Sequence, residues 1–405
     1  MNKTIMIISS SLDVRLLTAV KEAKKLGIRT VACVREEDDG SLANADIYYN
    51  VNGKDTDKLL SIAKKENIDG ILGVWDKSAL SAAIIADKLG LAGNPPDSIR
   101  ALLEKGHFRR LQKEAGVFCP NAFETNSTKK LTEKIAKLRF PIIMKPVLCS
   151  SSFGQTVLYN DNELIPAFKK AAAHSENDVV CVEEFIEDSP LLILESDIFV
   201  IGDDIIWDGM HWDHRFPETP LRPVLAAYPV TLDKNRETEF KTSVKKVLQT
   251  AGVRLGEFNV EGFFTKEGKY FIIEINPRPA GYYSQEEIEL HCGINLSKLL
   301  VTTAVGDMSY YDKIKNNKRL RRFVLSYAVF SFSPGIVDHI HIDPSIQCYL
   351  SAFHIFPGGN PGDHIEDIHA DNRPVGMAIF NLPSEEVLTK IRLNIRELVY
   401  VVLMS

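Results

Sequence analysis

The first 96 residues alternate between short apolar runs and stretches in which apolar side chains recur every three to four positions. The short runs predict buried strands, and the periodic stretches predict amphipathic helices that cover them. Because strands joined through helices run parallel to one another, we expect a parallel sheet with crossover helices. The predicted strands are residues 4–9, 30–34 and 70–74, and the predicted helices are residues 14–26, 58–66 and 78–89.

The pattern changes after Asn94-Pro95-Pro96, and a helical stretch is predicted over residues 98–115. Strand-like segments and a long helix follow, which predicts an α+β unit from residue 97 to residue 306. Residues 307–405 are expected to form a C-terminal α+β lobe with an amphipathic helix over residues 384–398. The strand-like segments are residues 140–145, 156–159, 179–184, 259–265, 270–276 and 323–331, and the long helix is residues 236–251.

Composition narrows the class of protein without identifying it. The chain has 405 residues, 45% hydrophobic and 25% charged, with a formal net charge of −6. These values are typical of a globular protein with more than one domain, and they favour neither nucleic acid nor an anionic membrane as a partner. No apolar run is long enough to cross a bilayer, and six scattered cysteines without a Cys-x-x-Cys pair suit a reducing compartment. We therefore expect a soluble, cytoplasmic protein.

The most informative segment is residues 259–278, in which two apolar runs flank a polar Glu267-Gly268 pair. This pattern predicts a β-hairpin. If the pair forms a two-residue turn, counting outward places Glu261 directly opposite Glu274. Asn276 lies two residues beyond Glu274, so it is expected to project from the same face.

Two opposed carboxylates repel each other, so an apolar hairpin that carries them needs a compensating charge. Two glutamates and one asparagine form a good oxygen ligand set for Mg²⁺, with Mn²⁺ as the alternative ion. Arg278 follows closely and supplies a fixed cation for an anionic ligand. The other interpretation is that both glutamates lie on a solvated sheet face.

Glu261 and the segment Glu274-Ile275-Asn276-Pro277-Arg278 resemble the late motifs of the ATP-grasp superfamily. The longer form, ending Pro279-Ala280-Gly281, is most similar to the biotin-carboxylase-like branch, which includes amino-acid ligases and glycinamide ribonucleotide synthetase. The resemblance implies three parts: a half-Rossmann lobe (residues 1–96), an ATP-grasp domain (residues 97–306, with a lid near 140–185) and a C-terminal α+β lobe (residues 307–405). It also implies that Glu261, Glu274 and Asn276 bind the metal ion.

By the same resemblance, Lys105 and Lys145 contact the phosphates of ATP. Lys145 ends an apolar strand, which delivers its charge to the edge of a cleft. The loop that follows corresponds to the family's glycine-rich lid, with Ser150, Ser151, Ser152 and Gly154 as phosphate-binding residues. Cys149 and Phe153 depart from that glycine-rich pattern.

The resemblance assigns the adenine-binding hinge to Glu183 and to the backbone of Phe185 and Ile186. Glu195 is our choice for the residue that binds the ribose, with Glu187 and Asp188 as alternatives. Lys145 and Arg278 are the expected catalytic residues, because a fixed cation steadies the substrate carboxylate and the acyl phosphate.

Substrate contacts are less patterned. His211 and His214 lie where related ligases place substrate-facing residues, although paired surface histidines are more common. Tyr282 and Tyr283 directly follow the arginine motif and are candidates for the substrate pocket. His339 and His341 share a predicted strand face and could bind a metal, but no third ligand is apparent.

The resemblance therefore implies an ATP- and Mg²⁺-dependent ligase that joins a small carboxylate to an amine and forms ADP. Related ligases are often dimers, so the resemblance also implies a homodimer. One alternative is a bicarbonate-using carboxylase of the biotin carboxylase type. Another is an ATP-binding sensor or assembly protein without turnover. A dehydrogenase is disfavoured because the turn after the first strand, Ser9-Ser10-Ser11, lacks the Gly-x-Gly-x-x-Gly fingerprint.

Overall fold

The structure, a computed structural model, describes residues 3–37, 40–147, 154–187, 191–217, 223–368 and 373–404. Within them, the strands form sheets of four, four, eight and three strands. No helix in these ranges combines the length and the apolar character that crossing a membrane requires. The predicted mixture of α/β and α+β architecture is confirmed.

The N-terminal lobe is the predicted parallel sheet with helices on its faces. Its strands have the order β3-β2-β1-β4 and are parallel throughout. Strand β1 is fully buried, and the Asp13 carboxylate caps α1 by accepting from the backbone N–H groups of Arg15 and Leu16. The elements are β1 (Thr4–Ile8), α1 (Val14–Lys25), β2 (Arg29–Val34), β3 (Ile47–Asn50), α2 (Thr56–Lys65), β4 (Gly70–Gly73) and α3 (Asp76–Leu89).

The helical stretch predicted over residues 98–115 consists of two helices, α4 (Pro96–Leu103) and α5 (Lys105–Glu114), which meet at Glu104. Glu104 adopts an extended conformation, with φ −82° and ψ 114°. The break places Lys105 in the first turn of α5, where its backbone N–H donates to the Val147 carbonyl at 3.3 Å. Apolar residues recur at helical spacing on both sides of Glu104, so the sequence pattern does not show where one helix ends and the next begins.

A small antiparallel sheet with the order β5-β8-β6-β7 follows α5. Two helices pack on one face of it around a core that includes Leu131, Met144 and Phe168. Its elements are β5 (Ala122–Thr125), α6 (Thr128–Ile135), β6 (Ile142–Pro146), β7 (Thr156–Leu158), α7 (Leu164–Ala173) and β8 (Val180–Glu184).

An eight-stranded antiparallel sheet forms the centre of the protein, with the order β13-β12-β9-β10-β11-β14-β18-β16. Helices α4, α5 and α8 cover one face of its β13-β12-β9 end through a core that includes Phe108, Phe240 and Phe258. The elements in this part of the chain are β9 (Leu192–Ile201), β10 (Asp204–His214), β11 (Leu225–Tyr228), α8 (Lys234–Ala251), β12 (Leu255–Phe264) and β13 (Tyr270–Asn276).

The C-terminal part extends this same sheet by three strands and adds a small sheet with the order β17-β15-β19. The helix predicted over residues 384–398 is interrupted at Asn394 and forms two helices instead. The elements are α9 (Ser284–Cys292), α10 (Leu296–Ala304), α11 (Ser309–Ile314), β14 (Phe323–Val329), β15 (Gly335–Ile342), α12 (Pro344–Gln347), β16 (Leu350–Ile355), β17 (His364–Ile365), β18 (Gly376–Leu382), α13 (Glu385–Leu393), α14 (Ile395–Leu398) and β19 (Val399–Leu403).

Candidate active site

A cavity of about 1600 Å³ lies between the N-terminal lobe, the small sheet and the face of the large sheet opposite helices α4, α5 and α8. A cavity of this size is large enough for a nucleotide together with a small substrate. Ten of the residues predicted to bind ATP or the metal ion, or to act in catalysis, line it: Lys105, Lys145, Glu183, Phe185, Ile186, Glu195, Glu261, Glu274, Asn276 and Arg278.

The β12–β13 hairpin confirms the predicted opposition of Glu261 and Glu274, although its turn is one residue longer than predicted. The Thr265 N–H donates to the Lys269 carbonyl, so Lys266, Glu267 and Gly268 form a three-residue loop. Gly268 has φ +76°, the left-handed conformation that such a loop requires at its third position.

A β-bulge at Ile273 restores the register that the longer turn had shifted. Before the bulge, Tyr270 and Ile272 point into the helix-covered core. After it, Glu274 and Asn276 point into the cavity instead. One extra residue thus aims both polar side chains at the cavity, as bulges beside functional sites often do.

A chain of hydrogen bonds fixes the Asn276 amide across three strands. Its Nδ2 donates to Glu274 Oε1 at 2.9 Å and to Asn259 Oδ1 at 3.3 Å. Asn259 Nδ2 in turn donates to Glu195 Oε1 at 2.7 Å. This arrangement leaves the Asn276 side-chain oxygen as the atom that can face a cation. Asn259 was missed from the sequence, although it lies two residues before Glu261 on the same strand face.

The opposed carboxylates have the electrostatics of a cation site. Burial, together with the charge of Glu274, raises the pKa of Glu261 well above its ordinary value. Arg215 Nη2 lies 3.7 Å from Glu261, and Lys105 Nζ lies 4.0 Å from Glu274. The described residues contain no ready cluster of three His, Cys, Asp or Glu side chains for a metal ion. Two carboxylates and an amide oxygen nevertheless suit Mg²⁺, which typically takes its remaining ligands from phosphates and water.

Lys145 is held in the cavity wall by the buried carboxylate of Glu183. Glu183 contacts both Lys145 and Arg109, whose Nε lies 2.7 Å from Glu183 Oε2. Burial opposes ionisation of Glu183, but Arg109 and Lys145 outweigh it and lower its pKa to about 2. The Glu183 carboxylate is therefore engaged by two cations. Arg109 had no local sequence signal, because its partner lies 74 residues away.

Two further predicted nucleotide contacts, Phe185 and Gly154, lie beside the small sheet. The Phe185 N–H donates to the Pro141 carbonyl at 2.8 Å, so its own carbonyl is the backbone group that it can offer to adenine. Gly154 has φ +71°, and a Cβ atom there would lie 3.0 Å from both His174 and Pro146. Ser150, Ser151 and Ser152, with the neighbouring Cys149 and Phe153, lie outside the described residues.

Arg278 joins the large sheet to the N-terminal lobe. Its Nε donates to Asp76 Oδ1 at 2.7 Å, and its Nη1 donates to the Pro279 carbonyl at 3.0 Å. Burial opposes ionisation of Asp76, but Arg278 outweighs it and lowers the pKa of Asp76. Asp76 was not predicted, since 202 residues separate the two side chains.

Glu195 and His211 form a buried pair in the middle of the sheet. Glu195 lies opposite Glu261 on one side and opposite His211 on the other, so the three share a row across β12, β9 and β10. His211 Nε2 lies 3.7 Å from Glu195 Oε2. Burial disfavours the imidazolium, but Glu195 outweighs it and raises the pKa of His211 to about 9. His211 is thus a buried cation and not a surface histidine.

Of the other histidine and tyrosine candidates, the two tyrosines line the cavity and the three histidines are not among its lining residues. Tyr282 and Tyr283 line the cavity, and Tyr283 stacks on His354 with ring centroids 3.5 Å apart. Burial and Arg392 lower the pKa of His214 to about 4. His339 and His341 lie together on β15 with ring centroids 6.5 Å apart, and no metal-binding cluster includes them within the described ranges.

The cleft lies between two antiparallel sheets and combines two lysines, an opposed pair of glutamates, an asparagine and an arginine, as the resemblance to ATP-grasp ligases implies. The model of the family "D-ala D-ala ligase C-terminus" matches residues 112–298. Formate-dependent phosphoribosylglycinamide formyltransferase of Sulfurisphaera tokodaii is 28% identical over 297 residues, which cover 71% of this chain and 72% of that one.

Two solved structures share the fold over nearly the whole chain. The L-amino acid ligase of Bacillus licheniformis has a TM-score of 0.84 at 17% identity and covers 100% of this chain and 99% of its own. The biotin carboxylase domain of Hydrogenobacter thermophilus 2-oxoglutarate carboxylase, solved as a dimer with magnesium ADP and bicarbonate, has a TM-score of 0.72 at 16% identity, covering 98% and 90%. The chain shares the ATP-grasp fold with these structures and is an ATP-dependent ligase.

Proposed function

We propose that the protein joins a carboxylate to an amine through an acyl phosphate, with conversion of ATP to ADP and phosphate. The observation that carries this proposal is the hairpin face of Glu261, Glu274 and Asn276. It opens on the same cavity as Arg278 and the two lysines. Catalysis of this kind depends mainly on positioning and on neutralising phosphate charge, and the cavity supplies groups for both.

In this proposal Lys105 and Lys145 contact the phosphates of ATP, and Lys145 keeps its position through Glu183. Glu261, Glu274 and the Asn276 oxygen are the ligands for Mg²⁺. When bound, the ion neutralises phosphate charge and aligns the terminal phosphoryl group. Glu183 then has a positioning role, in addition to the adenine contact that the family resemblance implies.

The reaction has two steps. A carboxylate oxygen of the substrate attacks the γ-phosphorus of ATP, and the bond from that phosphorus to the bridging oxygen of ADP breaks. The amine nitrogen of the second substrate then attacks the acyl carbon, phosphate departs with the C–O bond electrons, and the nitrogen loses a proton. Arg278 faces the cavity with its position fixed by Asp76, so it can stabilise the charge on the carboxylate and on the acyl phosphate.

The relatives support a carboxylate and an amine as the substrate classes. One of them is described as formate-dependent, and a structural neighbour is described as an L-amino acid ligase. We propose amino acids as the first substrates to test. The predicted homodimer and the predicted bounds of the three domains stay proposals.

A bicarbonate-using carboxylase is the second candidate, favoured by the neighbouring structure that contains bicarbonate. The two candidates differ in what stimulates ADP formation. Bicarbonate alone should drive ADP release in a carboxylase, whereas an amino-acid ligase requires an organic carboxylate and then an amine.

The test is a coupled ADP-release screen with amino acids, other small carboxylates and bicarbonate, supplied singly and in pairs with amines. The Glu274→Gln variant serves as the blank, because it removes one metal ligand with little change in shape. We expect carboxylate-dependent ADP release that the variant lacks. An ATP-binding protein that forms no ADP with any member of the screen would contradict the proposal and support the sensor alternative.

A further inference from the structure

The cavity is rich in carboxylates, and within the described part of the chain all but one of them have a cationic partner. Nine acidic side chains of the described residues line the cavity. Eight have a Lys, Arg or His nitrogen within 4.0 Å: Asp13, Asp76, Glu183, Glu184, Glu195, Asp213, Glu261 and Glu274. The ninth, Glu287, has no such partner among the residues that the structure describes. A buried carboxylate without a cation is costly, so its presence in a substrate cavity calls for a ligand that provides one.

Glu287 lies in the first turn of α9 and is 2% exposed. The Tyr228 hydroxyl approaches one of its oxygens at 3.4 Å, which is long for a hydrogen bond. Burial raises the pKa of Glu287 to about 7, while the charge of His211 opposes that rise. His211 does not pair with Glu287 directly, because its two ring nitrogens face Glu195 and the Gly209 carbonyl.

Ser326 lies beside Glu287 in the same part of the cavity. It is 0% exposed and lines the cavity, and its hydroxyl is close enough to the Glu287 carboxylate to lower the pKa of that group, although it makes no hydrogen bond within the usual geometric limits with the described residues. A hydroxyl can rotate, so it can serve a ligand as well as Glu287. The sheet register places it on the cavity face, since Ser326 pairs with Ala226, which in turn pairs with Asp213.

The part of the cavity that contains Glu287 and Ser326 is distinct from the proposed metal site. Four strand spacings separate β12, which carries Glu261, from β14, which carries Ser326. Neighbouring strands lie about 4.8 Å apart, so Ser326 lies on a different part of the sheet from the metal ligands and a group bound there does not displace them.

We propose that Glu287 and Ser326 form a subsite for a substrate ammonium group that is remote from the reacting carboxylate, with the Tyr228 hydroxyl beside Glu287. An ammonium group carries three N–H donors, and the two side chains that line the cavity offer carboxylate oxygens and a hydroxyl oxygen. The substrate class that fits is a diamino acid, with a distal ammonium group on a flexible chain. This inference rests on the proposed ligase function for the identity of the reacting group.

The test is calorimetric binding of L-lysine and L-ornithine, with L-norleucine and L-norvaline as neutral counterparts, to protein loaded with magnesium and a non-hydrolysable ATP analogue. We expect the two cationic amino acids to bind at least about 10-fold more tightly than their counterparts, because a hydrogen bond to a charged group contributes about 1.5–3 kcal/mol. Glu287→Gln should remove that preference, and Ser326→Ala should reduce it.

The matched control is Glu257→Gln. Glu257 is also 2% exposed and its pKa is also raised by burial, but it pairs with Gln285 and does not line the cavity. This variant should keep the preference for lysine and ornithine. No preference in the wild-type protein, a preference that persists in Glu287→Gln, or an equal loss in Glu257→Gln would each overturn the subsite.

Binding and turnover separate this proposal from the ligase proposal. Preferential lysine binding through Glu287 without any ADP formation would support the subsite and contradict the ligase chemistry. ADP formation with neutral substrates, together with unselective binding, would support the ligase and overturn the subsite.

Discussion

Replacing Asn259 by leucine should weaken metal binding without removing a metal ligand. Asn259 is 1% exposed and lies opposite Asn276 in the hairpin. It accepts from Asn276 Nδ2 at 3.3 Å and donates to Glu195 Oε1 at 2.7 Å. These two bonds fix which side of the Asn276 amide faces the cavity. Leucine has the same branching and the same number of heavy atoms in its side chain but can neither accept nor donate.

The magnitude follows from the bonds that are lost. Losing a partner that orients a metal ligand typically costs 10- to 100-fold in metal affinity, and we expect a loss in this range for Mn²⁺. Glu195 Oε1 also loses its donor in a buried position, which should lower the free energy of unfolding by about 1–3 kcal/mol.

The assay is the electron paramagnetic resonance signal of free Mn²⁺, titrated with protein and an ATP analogue, with urea unfolding measured in parallel. Asn94→Leu is the matched control, because the Asn94 side chain bonds the backbone of Arg254 and Leu255 at the start of the same strand. It should lower stability and leave the Mn²⁺ affinity unchanged. Wild-type Mn²⁺ affinity in Asn259→Leu, or an equal loss in both variants, would refute the reasoning.

Three further predictions concern the ion pairs of the cavity. Glu274→Gln should reduce Mn²⁺ affinity at least about 10-fold by the same titration, since it removes a charged ligand, and unchanged affinity would place the metal elsewhere. Asp76→Asn should lower kcat for ADP release about 10- to 100-fold while ATP affinity stays within about threefold, because Arg278 loses its charged partner; an unchanged kcat would show that Asp76 is not needed for positioning. Glu183 contributes stability that is fully present above its unfolded pKa of about 4.3 and is lost as pH falls through its folded pKa of about 2. Urea unfolding between pH 5 and about pH 2 should therefore show a smaller decline in Glu183→Gln than in the wild type, and identical pH profiles would contradict the assignment.

The sequence was most informative where functional side chains alternate along neighbouring strands of one hairpin. Alternation along one hairpin was enough to predict that Glu261 and Glu274 face each other. The prediction reached the correct pairing although it missed both the longer turn and the bulge at Ile273, because these two shifts of one residue compensate. Neither shift has a strong signal, since Glu-Gly suits both two-residue and three-residue loops.

Contacts between distant parts of the chain were beyond reach from one sequence. Asp76 and Arg278 belong to separate lobes, and nothing in the residues near Asp76 indicates an arginine partner. Glu287 reads as an ordinary polar residue in the first turn of a helix, where acidic residues are common. Only the packing of α9 against the sheet reveals that it is buried and has no cationic partner within the ranges that the structure describes.

The most direct test of the account is the fate of oxygen in the substrate carboxylate. The measurement uses an ¹⁸O-labelled carboxylate that stimulates ADP release and follows the label by mass spectrometry of the released phosphate. An acyl phosphate intermediate predicts one ¹⁸O atom in each phosphate formed during amide synthesis, with no transfer in Glu274→Gln. Amide formation with unlabelled phosphate, or no ADP release with any carboxylate, would contradict the central claim.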